Sequence, residues 1–299
     1  SQGTLNNYYN SATERLDREN YDLKINWNPM QTLVVWGKYS RMDGYWEAPF
    51  ALGEVGGPGL SKAGSPGINE MDVRIYTFGG TWTLSPTSVI DATFAMTPFK
   101  QTRYTSDIGT NVGSETWGIP NTNYPVVSGF AQGTEQVKKA CPPSANGNCY
   151  TGMPAIVHGF TSWGNTFGYL PMWRDEGSKT FTTNITKVHG AHELRWGFDM
   201  VRYKMDHWQP ETGAGPRGSL SFSANVTGAP GYTPSSHLNS YATFLLGLTT
   251  SLAKTVQFFE MTNREWQFGY YFRDRWQVSR RLTLNLGFRH EYYPLISRR

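Results

Sequence analysis

Eight runs of two-residue alternation, joined in four close pairs and separated by long stretches without period, restrict what this chain can become. The first pair runs from about Asn20 to Trp27 and from Gln31 to Ser40. In it Tyr21, Leu23, Ile25 and Trp27 alternate with Asp22, Lys24 and Asn26 ahead of an expected turn at Asn28-Pro29-Met30. The second, Asp72 to Leu84 and Val89 to Thr97, sets Tyr76, Phe78, Gly80, Trp82 and Leu84 against Thr77, Gly79, Thr81 and Thr83, and turns at Ser85-Pro86-Thr87. The third, Lys179 to Val188 and His192 to Tyr203, turns at His189-Gly190-Ala191 and sets Leu194, Trp196, Phe198 and Met200 against Arg195, Gly197 and Asp199. The fourth, Arg264 to Val278 and Leu282 to Tyr292, turns at Ser279-Arg280-Arg281, with Leu282, Leu284, Leu286 and Phe288 opposite Thr283, Asn285, Gly287 and Arg289.

Between pairs the connections are of another kind. Residues 41–71, 98–178 and 204–263 are long, rich in Gly, Pro and aromatics, and carry no sustained period. Compact soluble domains rarely contain loops of this length. A transmembrane β-barrel has short turns on one side of the membrane and long loops on the other, and strands of roughly 9 to 14 residues suit a tilted crossing. The expected fold is therefore all-β: an antiparallel up-and-down transmembrane β-barrel segment of about eight strands with long extracellular loops. Backbone in lipid must have every N–H and C=O paired, so a closed barrel is the β solution. Apolar side chains then point outward, and Thr, Asn, Gly, Asp and Arg point into a polar lumen. That division reconciles a mean hydropathy of -0.50 with a place in a membrane. Trp27, Trp82 and Trp276 each precede a short turn by a few residues, as a membrane-interface belt requires; the hairpin at Gly190 has no such Trp. A soluble β-sandwich is the competing fold, and it would pack the Leu/Trp/Phe sides against each other in a dry core.

Composition narrows the function classes. Of 299 residues 38% are hydrophobic and 17% charged, enough for a folded chain. The net charge of +4 comes from Lys and Arg scattered among carboxylates, with no basic run to neutralise a row of phosphates, so no nucleic-acid partner is expected. No stretch approaches the ~20 apolar residues of a membrane helix. Cys141 and Cys149 are the only cysteines, bracketing PPSANGN, and are expected to form a disulfide in an oxidising compartment. Residues before the first strand and after the eighth fall on the long-loop side, unlike the ends of a complete barrel of this type. Residues 1–299 are accordingly expected to be an internal segment of one barrel domain, with remaining strands and any plug outside this chain. An eight-stranded barrel complete in itself is the alternative.

Four stretches carry a family resemblance: LSPTSVIDATFAM (84–96), NITKVHGAHELRWGFDM (184–200), SYATFLLGL (240–248) and YYFRDRWQVSRRLTLNLGFRHEYYP (270–294). They resemble the barrel of TonB-dependent receptors, and most closely the Oar-like group, whose barrels follow a carboxypeptidase-regulatory-like domain and a plug. The last stretch is the most specific, although Arg273 stands where Gln is common in the family and His290 where Tyr is common. The resemblance implies a bacterial outer-membrane location, ligand capture and energised uptake, with outer-membrane lipid, the plug and remaining strands of the same receptor, and TonB through that plug, as partners. It also leaves open adhesion or surface assembly on the same barrel.

No catalytic residue, metal site or cofactor is assigned, and the chain is not expected to be an enzyme. His189 and His192 followed by Glu193 lie on a turn in the wrong order for a helical zinc motif. The glycine-rich run from Gly53 to Gly67 lacks the strand and helix that make such loops bind phosphate. His158 and His237 belong to no nucleophile-base set. The sequons at Asn184 and Asn225 matter only in a eukaryotic secretory setting. The aromatics of the long segments, Tyr45, Trp46 and Phe50, then Trp163, Phe167, Tyr169 and Trp173, are the ligand-contact candidates; the same residues would serve to pack the loops together.

Overall fold

The computed structural model describes residues 8–49, 52–53, 67–123, 148–165, 170–210, 214–228, 237–255, 257 and 260–298. Its main body is a single layer of eight antiparallel strands: β1 (Arg15–Met30), β2 (Leu33–Glu47), β3 (Ile68–Ser85), β4 (Ser88–Tyr104), β6 (Met172–His189), β7 (His192–Trp208), β10 (Met261–Ser279) and β11 (Leu282–Tyr292). They neighbour one another in chain order, the up-and-down arrangement that short turns dictate, and β1 and β11 form the two edges. The strands β5 (Ala155–Val157), β8 (Ser219–Ser221) and β9 (Ser251–Ala253) make a separate small sheet, joined by one helix, α1 (His237–Leu245). Among the described residues no helix is long and apolar enough to cross a membrane.

Four tight turns occupy one end: Gln31-Thr32, Pro86-Thr87, Gly190-Ala191 and Arg280-Arg281. Gly190 takes φ +57°, a left-handed conformation that glycine adopts without a Cβ clash. The first turn falls later than expected. Asn28 to Met30 stay in the strand, and the register shifts between Trp27 and Met30, a bulge that accommodates Pro29, which has no N–H to give the ladder.

At the other end the strands run well past their apolar stretches, β2 to Glu47, β4 to Tyr104 and β7 to Trp208, and β3, β6 and β10 begin correspondingly early. Side chains on the apolar side become charged there and pair both along and across strands: Arg41 with Asp43 at 2.9 Å and Asp72 at 3.5 Å, Arg74 with Asp72 at 2.5 Å, Lys204 with Asp175 at 3.0 Å and Asp206 at 3.1 Å, and Arg264 with Asp206 at 2.5 Å. The polarity alternation ends where these charges begin, whereas the backbone ladder does not. Past Tyr292, Ser297 exchanges backbone hydrogen bonds with Arg264 at 2.9 and 3.0 Å, so the chain reaches the long-loop end beside β10.

The two sides of the layer differ as the alternation requires. Register places Trp27 level with Val35, Gly80, Ala92, Thr183, Phe198, Tyr270 and His290 in successive strands. Leu33, Trp82, Ile90, Ile185, Trp196, Phe272 and Phe288 share that side one step nearer the turns. No second sheet covers it: Leu23 (59% exposed), Phe78 (53%) and Phe288 (67%) stand open. The dry sandwich is thereby excluded. The buried residues instead gather around the loop segments beyond the strand ends.

Candidate functional site: the polar wall and the loop assembly

On the polar side, rings lie flat over glycines of the adjacent strand. A Cβ on Gly79 would stand 2.5 Å from the Trp36 indole, and one on Gly197 2.5 Å from Tyr271 Cε1 and from the Thr183 carbonyl oxygen. Lys24 Nζ caps the Trp36 ring at 5.2 Å. The Tyr271 hydroxyl donates to Asn184 Oδ1 at 2.5 Å, and Asn184 Nδ2 donates to Asp91 Oδ1 at 2.8 Å, a polar chain across β10, β6 and β4. Nearer the turns Glu193 stands between Arg273 at 3.4 Å and Arg275 at 3.6 Å, and Arg289 meets Asp199 at 3.3 Å. The wall is thus polar and charged, and its glycines leave room for large rings to lie against the adjacent strand.

On the apolar side Trp27, Trp82 and Trp276 fall on one oblique line. Trp82, two strands from Trp27, sits two residues nearer the turns than Gly80, which is level with Trp27; Trp276, six strands away, sits six residues nearer than Tyr270, also level with Trp27. One residue per strand, with ~3.3 Å along a strand and ~4.8 Å between strands, corresponds to a tilt of roughly 35°, the inclination of strands in closed barrels. At the hairpin without a Trp, His192 stacks on Trp276 with centroids 5.2 Å apart and donates from Nδ1 to Asp274 Oδ2 at 2.7 Å.

Beyond the strands, segments of two long connections fold together. Strand β5 pairs in parallel with β8, and β8 antiparallel with β9. Met153, Ile156 and Phe222 form one core with Trp163 and Phe244 at its edge; Cys149, Tyr150, Trp173 and Trp208 form another. Arg217 ties the segments. Its guanidinium is 1% exposed; Nη1 donates to Thr105 Oγ1 (2.9 Å) and the Thr151 carbonyl (3.0 Å), and Nη2 to the Leu170 carbonyl (3.1 Å). Burial pushes its pKa down to about 10, against the opposing pull of Asp107, whose Oδ2 accepts from the Met153 amide at 2.7 Å. Asn123 adds donors to the carbonyls of Tyr150 (3.1 Å) and Gly152 (2.7 Å).

His158 stands in an aromatic box made by Trp163, Phe244, Tyr241 and Phe160, with centroids at 4.4, 5.1, 5.6 and 6.4 Å. It is 1% exposed, and neither ring nitrogen has a hydrogen-bond partner among the described residues. Burial lowers its pKa. Nothing in the sequence spacing joins His158 to Tyr241 and Phe244, which are far apart in the chain.

The candidate aromatics are dispersed. Tyr45 and Trp46 belong to β2 rather than to a loop: Tyr45 on the apolar side donates to Glu47 at 2.9 Å under Arg15, and Trp46 on the polar side donates to Glu14 with Arg103 over its ring. Trp163 pairs with Ile156 through two backbone bonds of 2.9 Å. Trp173 begins β6, 6% exposed, edge-on to Trp208 at 5.5 Å. Phe50, Phe167 and Tyr169 lie outside the described residues, as does Cys141; Cys149 is fully buried beside Tyr150. Among the described residues no group of three or more His, Cys, Asp or Glu is placed to hold a metal ion. Of the four family-like stretches, three lie in the large sheet and SYATFLLGL lies on α1 and just after it.

Comparison with known proteins gives one match over the whole chain. A family model described as outer membrane beta barrel domain covers residues 1–299. No curated protein matches in sequence. Among solved structures, the outer membrane transporter YddB from Escherichia coli is similar at 13% identity and TM-score 0.43, over 96% of this chain and 29% of that one. The siderophore receptor PiuA from Acinetobacter baumannii is similar at 9% identity and TM-score 0.39, over 95% of this chain and 39% of that one. FpvA of P. aeruginosa, in complex with a heterologous pyoverdine, follows at 11% identity and TM-score 0.31, over 96% and 37%. The chain therefore spans roughly a third of the length of these structures.

Proposed function

The chain belongs to the outer membrane beta barrel domain family and to the bacterial outer membrane, and from that premise we propose that it is an internal stretch of the barrel of a TonB-dependent receptor, serving ligand capture and energised uptake. The observation that carries this reading is the division of labour in one sheet: an apolar side for lipid, a polar ring-on-glycine wall for a lumen, and a folded loop assembly at the long-loop end. The Oar-like resemblance of residues 84–96, 184–200 and 270–294 supports it further. In this reading Trp27, Trp82 and Trp276 form the belt at the turn-side interface, and their one-residue-per-strand line is what a tilted barrel needs to keep them in one plane. The open edges of β1 and β11 pair with strands of the same polypeptide outside this chain. Trp163 and Trp173 serve the interior of the loop assembly, so that among the described candidates Tyr45 and Trp46 are the ones at the strand ends for ligand contact; Phe50, Phe167 and Tyr169 remain candidates outside the described residues. Cys141 pairs with Cys149. The deciding measurement is ligand accumulation by cells carrying the intact receptor, with and without TonB: loss of uptake without TonB supports the reading, and equal uptake removes it.

Adhesion or surface assembly on the same barrel is a second reading, favoured by apolar side chains open on the loop assembly, among them Leu245 (67%), Leu246 (64%) and Leu252 (70%). Cell–cell binding that survives deletion of the plug supports this reading over transport.

A further inference from the structure

We propose that the apolar side carries, at the upper edge of its hydrocarbon-facing band, a binding notch for a lipid with a phosphate-bearing headgroup. The notch encloses about 270 Å³ and is lined by Met96, Pro98, Gly177, Lys179, Arg202 and Lys204 among others. Its floor is apolar for a structural reason. Register sets Gly177 opposite Pro98 on one side and Lys204 on the other, and neither Gly177 nor Pro98 projects a long side chain. A Cβ on Gly177 would meet the Thr97 carbonyl oxygen at 3.1 Å and Pro98 Cα at 3.3 Å. Two strands that elsewhere present large side chains here leave a gap.

The rim carries three cations, Lys179, Arg202 and Lys204, against two carboxylates, Asp175 and Glu176. Lys204 is held by Asp175, which also lines the notch, and by Asp206. Lys179 and Arg202, level with each other and with Met96, form no ion pair with a carboxylate among the described residues. Arg202 is held instead over the Trp266 ring at 5.0 Å, and Trp266 is stacked parallel on Phe268 at 5.8 Å. A guanidinium resting on an aromatic face keeps its N–H groups turned toward solvent or an anion.

Depth fixes the kind of anion. Measured from the oblique line through Trp27, Trp82 and Trp276, Lys179 stands eight residues up its strand and Arg202 nine. At ~3.3 Å per residue and the tilt above, that is roughly 20–24 Å, close to the ~25 Å height of an outer-membrane barrel's apolar band. A cation at that level with apolar surface beneath it suits an amphiphile: phosphate against Lys179 and Arg202, one chain along Met96 and Pro98. A soluble anion has no use for the apolar floor, and a neutral lipid none for the rim.

The test uses the intact membrane protein that contains this chain, folded in a non-ionic detergent. Native mass spectrometry compares retained phosphatidic acid with diacylglycerol of the same chains. Preferential retention of phosphatidic acid, reduced about 30-fold by Lys179→Gln with Arg202→Gln and altered less than twofold by Lys38→Gln with Arg195→Gln on the opposite side, supports the site; the factor follows from ~1 kcal/mol for each cation near anionic lipid. Equal retention of the two lipids, an unaffected Lys179/Arg202 variant, or displacement by excess inorganic phosphate overturns it. Should the double variant fail to fold, photoreactive phosphatidic acid on the unaltered protein decides: labelling concentrated at Met96 and residues 177–179 supports the notch, and even labelling of the whole apolar side overturns it.

Discussion

Arg217 and His158 show how single buried residues hold the loop assembly together and make it sensitive to conditions. Arg217, from the connection after β7, donates to three acceptors in the connection between β4 and β6, and its removal leaves them without that donor. Arg217→Ala is therefore expected to destabilise the assembly by roughly 3–5 kcal/mol, since each buried acceptor left unpaired costs about 1–3 kcal/mol. The check is hydrogen exchange: amides of residues 148–157 and 214–222 should lose protection while those of the membrane strands keep it. His158 gives a pH dependence. Its folded pKa is lowered by burial, so the unfolded segment binds a proton first as pH falls below about 6.5. Stability contributed by neutral His158 is present above that value and is lost progressively below it. Protection factors of amides in residues 155–163 and 237–245, which correct for the slower intrinsic exchange at lower pH, are expected to fall by up to about tenfold between pH 7.5 and 5.5 in the native protein, and His158→Phe should remove that fall. Both residues were hard to read in the sequence: Arg217 is one arginine in a Gly/Pro-rich run, and half of the His158 box, Tyr241 and Phe244, comes from α1.

At the scale of elements, the two sides of each strand make opposite demands. Phe94 in β4 lies mid-band on the apolar side, flanked by Phe78 and Phe181, while its neighbour Thr93 faces the polar side between Gly79 and Thr182. Phe94→Arg is expected to cost roughly 2–4 kcal/mol, and Thr93→Arg far less; equilibrium unfolding in lipid bilayers by urea reports both. Equal costs would mean that the sides are assigned wrongly. The connections behave as elements too. If Cys141 and Cys149 are joined, intact mass after alkylation without reductant shows no added label, and with reductant it shows two. Opening the bond should increase exchange around Tyr150 and Trp173, which share a core with Cys149. The strand cores and the two-residue turns were legible in advance, because each rests on local alternation and turn chemistry. Strand ends were not. Above the apolar band, residues such as Arg41, Asp72 and Asp206 continue the ladder with charges on the side that carried Leu and Phe below, and the pattern that marks a strand disappears while its hydrogen bonds persist.

For the whole molecule, the arrangement fixes a topology that a protease can read from outside intact cells. A protease added to intact cells is expected to spare the Arg280-Arg281 turn, which lies at the end away from the long connections, and to cut it only once the outer membrane is permeabilised. Cutting at Arg280-Arg281 on intact cells would invert the orientation and, with it, the placing of the lipid notch in the outer leaflet. The oblique Trp27–Trp82–Trp276 line supplies the tilt on which that orientation is drawn, and the open edges at β1 and β11 are where further strands would continue it.

Local polarity determined that these ribbons have one apolar and one polar side, that they come in tight hairpins, and that long connections join the hairpins at one end, because side-chain alternation and turn propensity are properties of neighbouring residues. Register across eight strands, the extension of the ladder beyond the band, and the joining of residues 105–123 and 148–165 with 214–228 and 237–255 around Arg217 and His158 were decided by contacts between segments far apart in the chain. Such contacts depend on which strands neighbour one another, and no short window of sequence carries that information.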